Sequence, residues 1–285
     1  MIRTLIGVDL GGTNVRAGRV EGDSIAAHIA RPVSSRGTEQ QVIDEVSRII
    51  ERVLTPEVSG IGIGVPSLVD TERGIVYTVE NIPSWKEVHL KAILEKRFGL
   101  PVQVNNDANC FAVGEYHFGL GRGCRNMVGI VVGTGLGAGI ILRGRLYSGV
   151  NCGAGELGCI PYKGHTIEYY ASGTRLVREQ GINGQLLHER AMDGDPQALR
   201  AFQDFGADFA QALMIALYAF DPERVVLGGS VAKAFPLWEG VMRTKLKAFA
   251  YPHALKRLEI LPSQEPHIAI LGAAALLLDA DRKES

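Results

Sequence analysis

The sequence predicts an α/β fold built on an internal duplication. A strand-like run, a glycine-rich turn bearing a threonine and a returning strand-like run occur twice, at residues 5–20 and 128–142. The two turns lie about 120 residues apart, which suggests one phosphate-facing hairpin in each half. Between and after them, helical patterns alternate with short β-branched runs. The 285 residues, 46% hydrophobic and 21% charged, suit one large or two ordinary globular domains with a substantial core.

Taken in order, Leu5–Leu10 is a buried-strand pattern, Gly11-Gly12-Thr13-Asn14 a turn, and Val15–Val20 an alternating return strand. Asp9 ends the first strand beside that turn. A hard carboxylate there suits Mg²⁺ or its water shell, and a turn-capping aspartate is the plainer alternative. Residues 40–54 place Val42, Ile43, Val46, Ile49, Ile50 and Val53 at helical spacing. Ile61–Val65 reads as a strand that ends at Pro66 and Ser67, and 81–85 as a loop. Val88–Phe98 reads as a helix, closed by Gly99 with Pro101 beyond. Val102–Val104 is a short strand, followed by Asn105-Asn106-Asp107-Ala108-Asn109 and an apolar helical pattern from Cys110. An acid at a strand's carboxyl end is a ligand position in α/β proteins, while a helix N-cap is the plainer reading of Asp107 taken alone. Amides around one carboxylate also suit a sugar, whose hydroxyls are bound in pairs.

The second hairpin runs from Val128–Val132 through Gly133-Thr134-Gly135-Leu136-Gly137-Ala138-Gly139 to Ile140–Leu142. Glycines admit positive φ and close approach of a ligand, and unpaired amides in such a turn form an anion-binding concavity to which Thr134 adds a hydroxyl. A glycine turn without a ligand is the plainer reading. Gly133-x-Gly135-x-x-Ala138 also fits a dinucleotide fingerprint, but that motif must open a helix, and a strand pattern follows here. Glu156 then stands among glycines, and Glu168 precedes Tyr169-Tyr170. Residues 186–218 are helical with a break at Asp193-Gly194-Asp195-Pro196. Arg224–Leu227 is a buried strand that enters a helix through Gly228-Gly229-Ser230, a turn suited to phosphate or a flat nucleoside, or to no ligand at all. Ile268–Leu278 is an apolar closing helix.

Net charge is −1, so no basic field favours nucleic acid or anionic lipid. Cys110, Cys124, Cys152 and Cys159 form no CxxC pair and read as reduced thiols. The N-terminus reaches Asp9 within a strand pattern rather than a signal peptide, and no apolar run nears the ~18 residues of a membrane span. A cytoplasmic protein is expected.

Asp9–Asn14, Asn106–Asn109, the 129–158 segment, Leu227–Ser230 and Leu271–Ala274, in this order, resemble the motifs of the ROK family of repressors, open reading frames and sugar kinases, within the actin-like ATPase superfamily. The resemblance covers nearly the whole chain. It implies two RNase H-like α/β domains with a nucleotide and sugar cleft between them. The first would be residues 1–117 plus 268–285, the second 118–267. It implies ATP-dependent phosphorylation of a hexose, glucose-like and at the 6-hydroxyl; N-acetylmannosamine, mannose, fructose and allose are alternatives. On this resemblance Asp107 is the general base, and Asn81, Asn106, Glu156, Cys159 and Glu168 face the sugar. Gly11, Gly12, Thr13, Asn14, Gly133, Thr134, Gly135, Gly228 and Gly229 surround ATP, with Mg²⁺ near Asp9 through water. A homodimer is what the family suggests.

Two departures stand out. The family commonly has Glu-x-Gly-His where this chain has Glu156-Leu157-Gly158-Cys159, and a cysteine-rich zinc loop where it has only Tyr162–Ile167. Cys152, Cys159 and His165 are three candidate ligands at unmatched spacing, so no zinc site is expected. Family repressors carry a helix-turn-helix before the first motif. The first strand here starts within five residues of the chain's beginning, which makes a kinase the expectation over a repressor, a non-catalytic sugar-binding regulator or a sugar-independent ATPase.

Overall fold

Each glycine turn closes an antiparallel hairpin, and each hairpin seeds one sheet. The computed structural model describes residues 3–281; residues 1–2 and 282–285 of the predicted first domain lie outside it. The chain divides into two units. One holds residues up to 123, 145–154 and 265 onward; the other holds 124–144 and 155–264.

In the first unit, β1 (Thr4–Leu10) pairs with β2 (Asn14–Glu21) from Thr4↔Glu21 to Leu10↔Val15. β2 pairs with β3 (Ser24–Pro32). Helix α1 (Glu39–Glu51) leads to β4 (Val58–Val65), which lies parallel to β1. After α2 (Leu90–Phe98), β5 (Val102–Asn106) joins parallel to β4 and runs directly into α3 (Asp107–Phe118). The order is β3-β2-β1-β4-β5. The strand β3 has no apolar run to announce it, because its residues are half-buried or exposed. Val88, placed in a helix by its apolar spacing, instead belongs to a small sheet of Val69–Asp70, Ile75–Tyr77 and Glu87–Val88.

The C-terminal helix, Ile268–Asp281, lies against this sheet and α3. Contact is backbone to backbone: a Cβ on Gly7 would stand 1.8 Å from the Ile270 carbonyl oxygen, and one on Gly272 1.8 Å from that of Cys110. The Leu271–Ala274 motif is thus a packing surface of small residues. Each added methyl there would force the helix off its seat.

In the second unit, β6 (Met127–Val132) pairs antiparallel with β7 (Leu136–Leu142). A strand after the glycine turn excludes the dinucleotide reading. Helices α4 (Ile167–Tyr170), α5 (Gly173–Gln180), α6 (Gly184–Met192) and α7 (Pro196–Phe220) follow. The break between α6 and α7 is capped by Asp195, whose side chain accepts from the Gln197 and Ala198 amides, with Pro196 in the first turn. β8 (Arg224–Gly228) lies parallel to β6, and after α8 (Phe235–Leu246), β9 (Glu259–Pro262) lies parallel to β8, in the order β7-β6-β8-β9. The turn after β8 enters a 3₁₀ turn at Val231–Ala234 before α8 begins. The core centres on Phe205 and Phe209 of α7, whose rings meet Trp238 of α8 edge-on at 5.2 and 5.1 Å. No described helix is long and apolar enough to cross a membrane.

Candidate functional site

The first-unit turn is closed by the Gly11 amide donating to the Asn14 carbonyl at 2.9 Å. A Cβ on Gly12 would lie 2.6 Å from Asn81 Cβ, so the bare glycine is what lets the Asn81 loop approach. Asp9 does not cap the turn. Its carboxylate is ion-paired with Arg16, its cross-strand neighbour, through the Arg16 Nε at 2.9 Å and a second guanidinium nitrogen. Asp9 is 8% exposed, so this pair keeps a buried charge compensated.

At the carboxyl end of β5, the capping role falls to Asn106 rather than Asp107. The Asn106 Oδ1 accepts from the Ala108 amide at 2.8 Å and the Asn109 amide at 3.3 Å, while its Nδ2 donates to the Ser67 carbonyl at 3.3 Å. Such a cap contributes roughly 1 kcal/mol. Asp107 is the first helical residue, where aligned peptide dipoles favour a carboxylate, and its Oδ1 accepts from the Ala108 amide at 2.8 Å. Beneath it, Asn105 accepts from Asn109 at 2.9 Å and from the Cys152 thiol at 3.2 Å, which fixes the strand end. Burial pushes the Cys110 thiol well above the usual range, and the carboxylates of Asp107 and Asp9 push it further. Both acids therefore bear on one small region of this unit.

The second-unit turn is organised differently. The Gly133 amide donates to the Gly135 carbonyl at 3.0 Å, and the start of α5 docks on the same turn. There the Gly173 amide reaches the Gly133 carbonyl at 2.7 Å, and the Thr174 hydroxyl reaches the Thr134 carbonyl at 2.6 Å. Beside them opens a cavity of about 710 Å³, lined by Gly133, Thr134, Thr174, His188, Phe202 and Val231 among others. Its size and mixed lining fit a nucleoside. Gly228 and Gly229 hold the neighbouring turn, while Ser230 and Val231 reach the cavity. Gly229 has φ +86°, and a Cβ there would lie 2.2 Å from the Val132 carbonyl oxygen, so only glycine fits. Gly135 faces elsewhere: a Cβ on it would meet Glu168 Oε2 at 2.4 Å.

Glu168 accepts from the Leu136 amide at 2.7 Å, which fixes one carboxylate oxygen against the turn. Glu156 precedes the 3₁₀ turn Leu157–Cys159 and accepts from the Cys159 thiol at 3.8 Å. One side of Glu156 is open to solvent. The surrounding chain still desolvates its carboxyl, which raises its pKa; the Glu168 charge acts the same way, and the Cys159 hydrogen bond opposes them. Cys159 is exposed, and its own pKa is raised by burial on its inner side and by both glutamates.

The three zinc-type candidates are each engaged separately. Cys152 is bonded to Asn105, Cys159 to Glu156, and the His165 ring stacks on Tyr169 at 3.9 Å. These residues do not fit a zinc site. The sequence reading missed Asp208 and Arg175, a buried pair at 2.9 Å beneath the 161–166 hairpin. The larger hollow of the first unit, about 980 Å³ beside Gln103–Asn105, takes in Asn105 of the amide cluster but none of the residues assigned to sugar, nucleotide or metal.

The model of the ROK family matches residues 5–280. The glucokinase of Thermotoga maritima is 31% identical over 306 residues, with 96% of each chain covered. The xylose repressor of Bacillus spizizenii is 29% identical over 260 residues, covering 85% of this chain and 67% of that one. Among solved structures, a ROK family glucokinase from Streptomyces griseus in complex with glucose and AMPPNP superposes with TM-score 0.84 at 30% identity, covering 96% of this chain and 98% of that one.

Proposed function

Because the chain belongs to the ROK family and has the two-domain α/β fold of the actin-like ATPases, we propose that it is a cytoplasmic, ATP-dependent hexose kinase acting on a glucose-like sugar at its 6-hydroxyl. The observation that carries this reading is the first turn of α3. Asn106 takes the capping bonds, so the acid at its start is not required as the cap.

In this reading Asp107 accepts the proton of the attacking hydroxyl while Asn81, Asn106, Glu156, Cys159 and Glu168 orient the sugar. Carboxylate and amide oxygens accept from the hydroxyls, and the amide nitrogens donate to them. Backbone amides of Gly11–Asn14 and Gly133–Gly135 cradle the phosphates, and the cavity beside Thr134 takes the nucleoside. Phosphoryl transfer needs chiefly positioning and charge stabilisation, which fixed amides and carboxylates provide. A Mg²⁺ ion would neutralise phosphate charge; the hard oxygens of Asp9 fit it through water, since Arg16 already holds Oδ2.

The test is Asp107→Asn. Loss of a positioned base lowers kcat by about 10²–10⁴-fold with ATP binding retained; turnover near wild type would remove Asp107 from this role. The similarity to a xylose repressor supports a second reading, a non-catalytic sugar-binding regulator. Coupled ADP release with Mg-ATP against hexoses and N-acetylhexosamines separates the two. Sugar-dependent release identifies a kinase and its substrate; sugar binding without release identifies a regulator.

A further inference from the structure

The segment that carries Glu168 is clamped at both ends by one buried carboxylate. Residues 161–166 form a hairpin, Pro161–Tyr162 against His165–Thr166, and run directly into α4. Asp208, on α7 and 5% exposed, lies beneath. Its Oδ1 accepts from the Tyr162 hydroxyl at 3.0 Å and from Lys163 Nζ at 2.6 Å. Its Oδ2 accepts from Arg175 NH1 at 2.9 Å. The same Arg175 nitrogen donates to the Tyr170 carbonyl at 2.7 Å, at the far end of α4, and Arg175 Nε donates to Glu179 at 3.0 Å. The Tyr170 hydroxyl returns to the Lys163 carbonyl at 2.8 Å, closing the ring of contacts. The Lys163 ammonium also sits 5.0 and 5.7 Å from the Tyr162 and Tyr170 rings.

A carboxylate this deep is tolerated only because three donors meet it, and such charge-assisted bonds are short and directional. Their directions matter here. Lys163 and Tyr162 hold the entry to α4, and Arg175 holds its exit. Glu168 projects between these clamps onto the Leu136 amide. The hairpin and α4 are held by these charge-assisted bonds.

We propose that Asp208 is a positioning residue for Glu168: through Lys163 and Arg175 it fixes both ends of the segment that aims this sugar-binding carboxylate at the Gly135–Leu136 turn. The proposal rests on the sugar-kinase reading for its kinetic consequence, but not for its structural one.

The test uses Lys163→Gln, because Lys163 is half-exposed and its loss spares the buried pair, with Lys163→Arg as the conservative control and Asp208→Asn as the stronger variant. Two quantities are measured: steady-state kinetics with sugar and ATP varied in turn, and hydrogen exchange at the Leu136 amide. In Lys163→Gln the sugar KM rises about 5–10-fold while kcat and the ATP KM stay within about twofold, and Leu136 exchanges about tenfold faster, as expected for loss of one charge-assisted bond. Lys163→Arg restores both, and Asp208→Asn enlarges both. Wild-type sugar KM and Leu136 exchange in Lys163→Gln and Asp208→Asn would overturn the proposal. So would a uniform fall of Tm, kcat and both affinities, which marks a merely structural pair. If the wild-type protein phosphorylates no sugar, the kinase reading fails, and the exchange measurement alone decides whether Asp208 positions Glu168.

Discussion

The two glycine turns share a backbone device and differ in what stands behind it. Behind the Gly11–Asn14 turn is charge: the Asp9–Arg16 pair across β1 and β2, with Asn81 pressed against Gly12. Behind the Gly133–Gly135 turn is an opening: a helix start that docks through Gly173 and Thr174, and a cavity whose floor includes Leu176 and Phe202. Equal hairpins thus stand in unlike surroundings. On the proposed function the charged turn would take the reacting phosphate and its cation, and the open turn the phosphate that joins the nucleoside. Each hairpin supplies a turn of bare amides, and the residues flanking each turn set the two apart.

The division breaks most visibly at Asp9. Asp9→Asn removes the negative charge that a hydrated Mg²⁺ would address, and it takes the charged partner from Arg16. The Mg²⁺ concentration for half-maximal activity should rise about 10–100-fold, the range seen for groups that act on a metal indirectly. An unchanged Mg²⁺ dependence would remove Asp9 from the metal's surroundings and leave it a purely structural partner of Arg16.

A smaller and more selective contrast compares one added methyl in each turn. Gly12→Ala places a Cβ 2.6 Å from Asn81 Cβ, so the 81–85 loop must move. A forced shift of this kind costs about 1–3 kcal/mol, and both stability and sugar KM should suffer. Gly133→Ala meets nothing within 4 Å. It should leave Tm in place and raise only the ATP KM, by about 5–10-fold, if phosphate comes up to that bare backbone. Thermal melts and ATP titrations of the two variants side by side decide it. An ATP KM unchanged in Gly133→Ala would mean that no phosphate approaches that turn.

How much of this was legible in the sequence follows from what each element displays. Both hairpins announced themselves, because buried β-branched runs bracket glycines. Strand β3 did so only weakly, since the inward residues of this edge strand, Ile25, Ala27 and Ile29, are only half-buried and the alternation is shallow. The Asn106–Asp107 pair was visible as a cluster, but which of the two caps α3 depends on a rotamer and had to be observed. Asp208 was hidden for a different reason. It sits in a helix of Phe, Ala and Leu, and its meaning depends on Lys163 and Arg175, 45 and 33 residues away. One signal was available. Asp208 lies three residues after Phe205 and four before Ala212, on the buried face, and an ionisable side chain at such a position requires partners.

The smallest effect lies in the pH dependence of sugar affinity, where Glu156 and Glu168 part company. Both are carboxylates beside the second turn, but Glu168 is held by an amide and Glu156 by a thiol. Burial and the Glu168 charge raise the Glu156 pKa above the ordinary 4.5. On the proposed function the ionised form would accept hydrogen bonds from the sugar's hydroxyls, so affinity would be complete above the raised pKa and lost as the pH falls through it. Sugar KM should thus be flat near neutrality and begin to climb at a pH above 4.5, reaching about twofold where the carboxyl is half protonated. Glu156→Gln should raise KM at neutral pH and flatten that climb. Cys159→Ala removes the one contact that opposes the shift, so the climb should start at a higher pH than in wild type. A profile that Cys159→Ala leaves untouched would show that the thiol hydrogen bond does not tune Glu156. A profile that Glu156→Gln leaves untouched would assign the titration to another group.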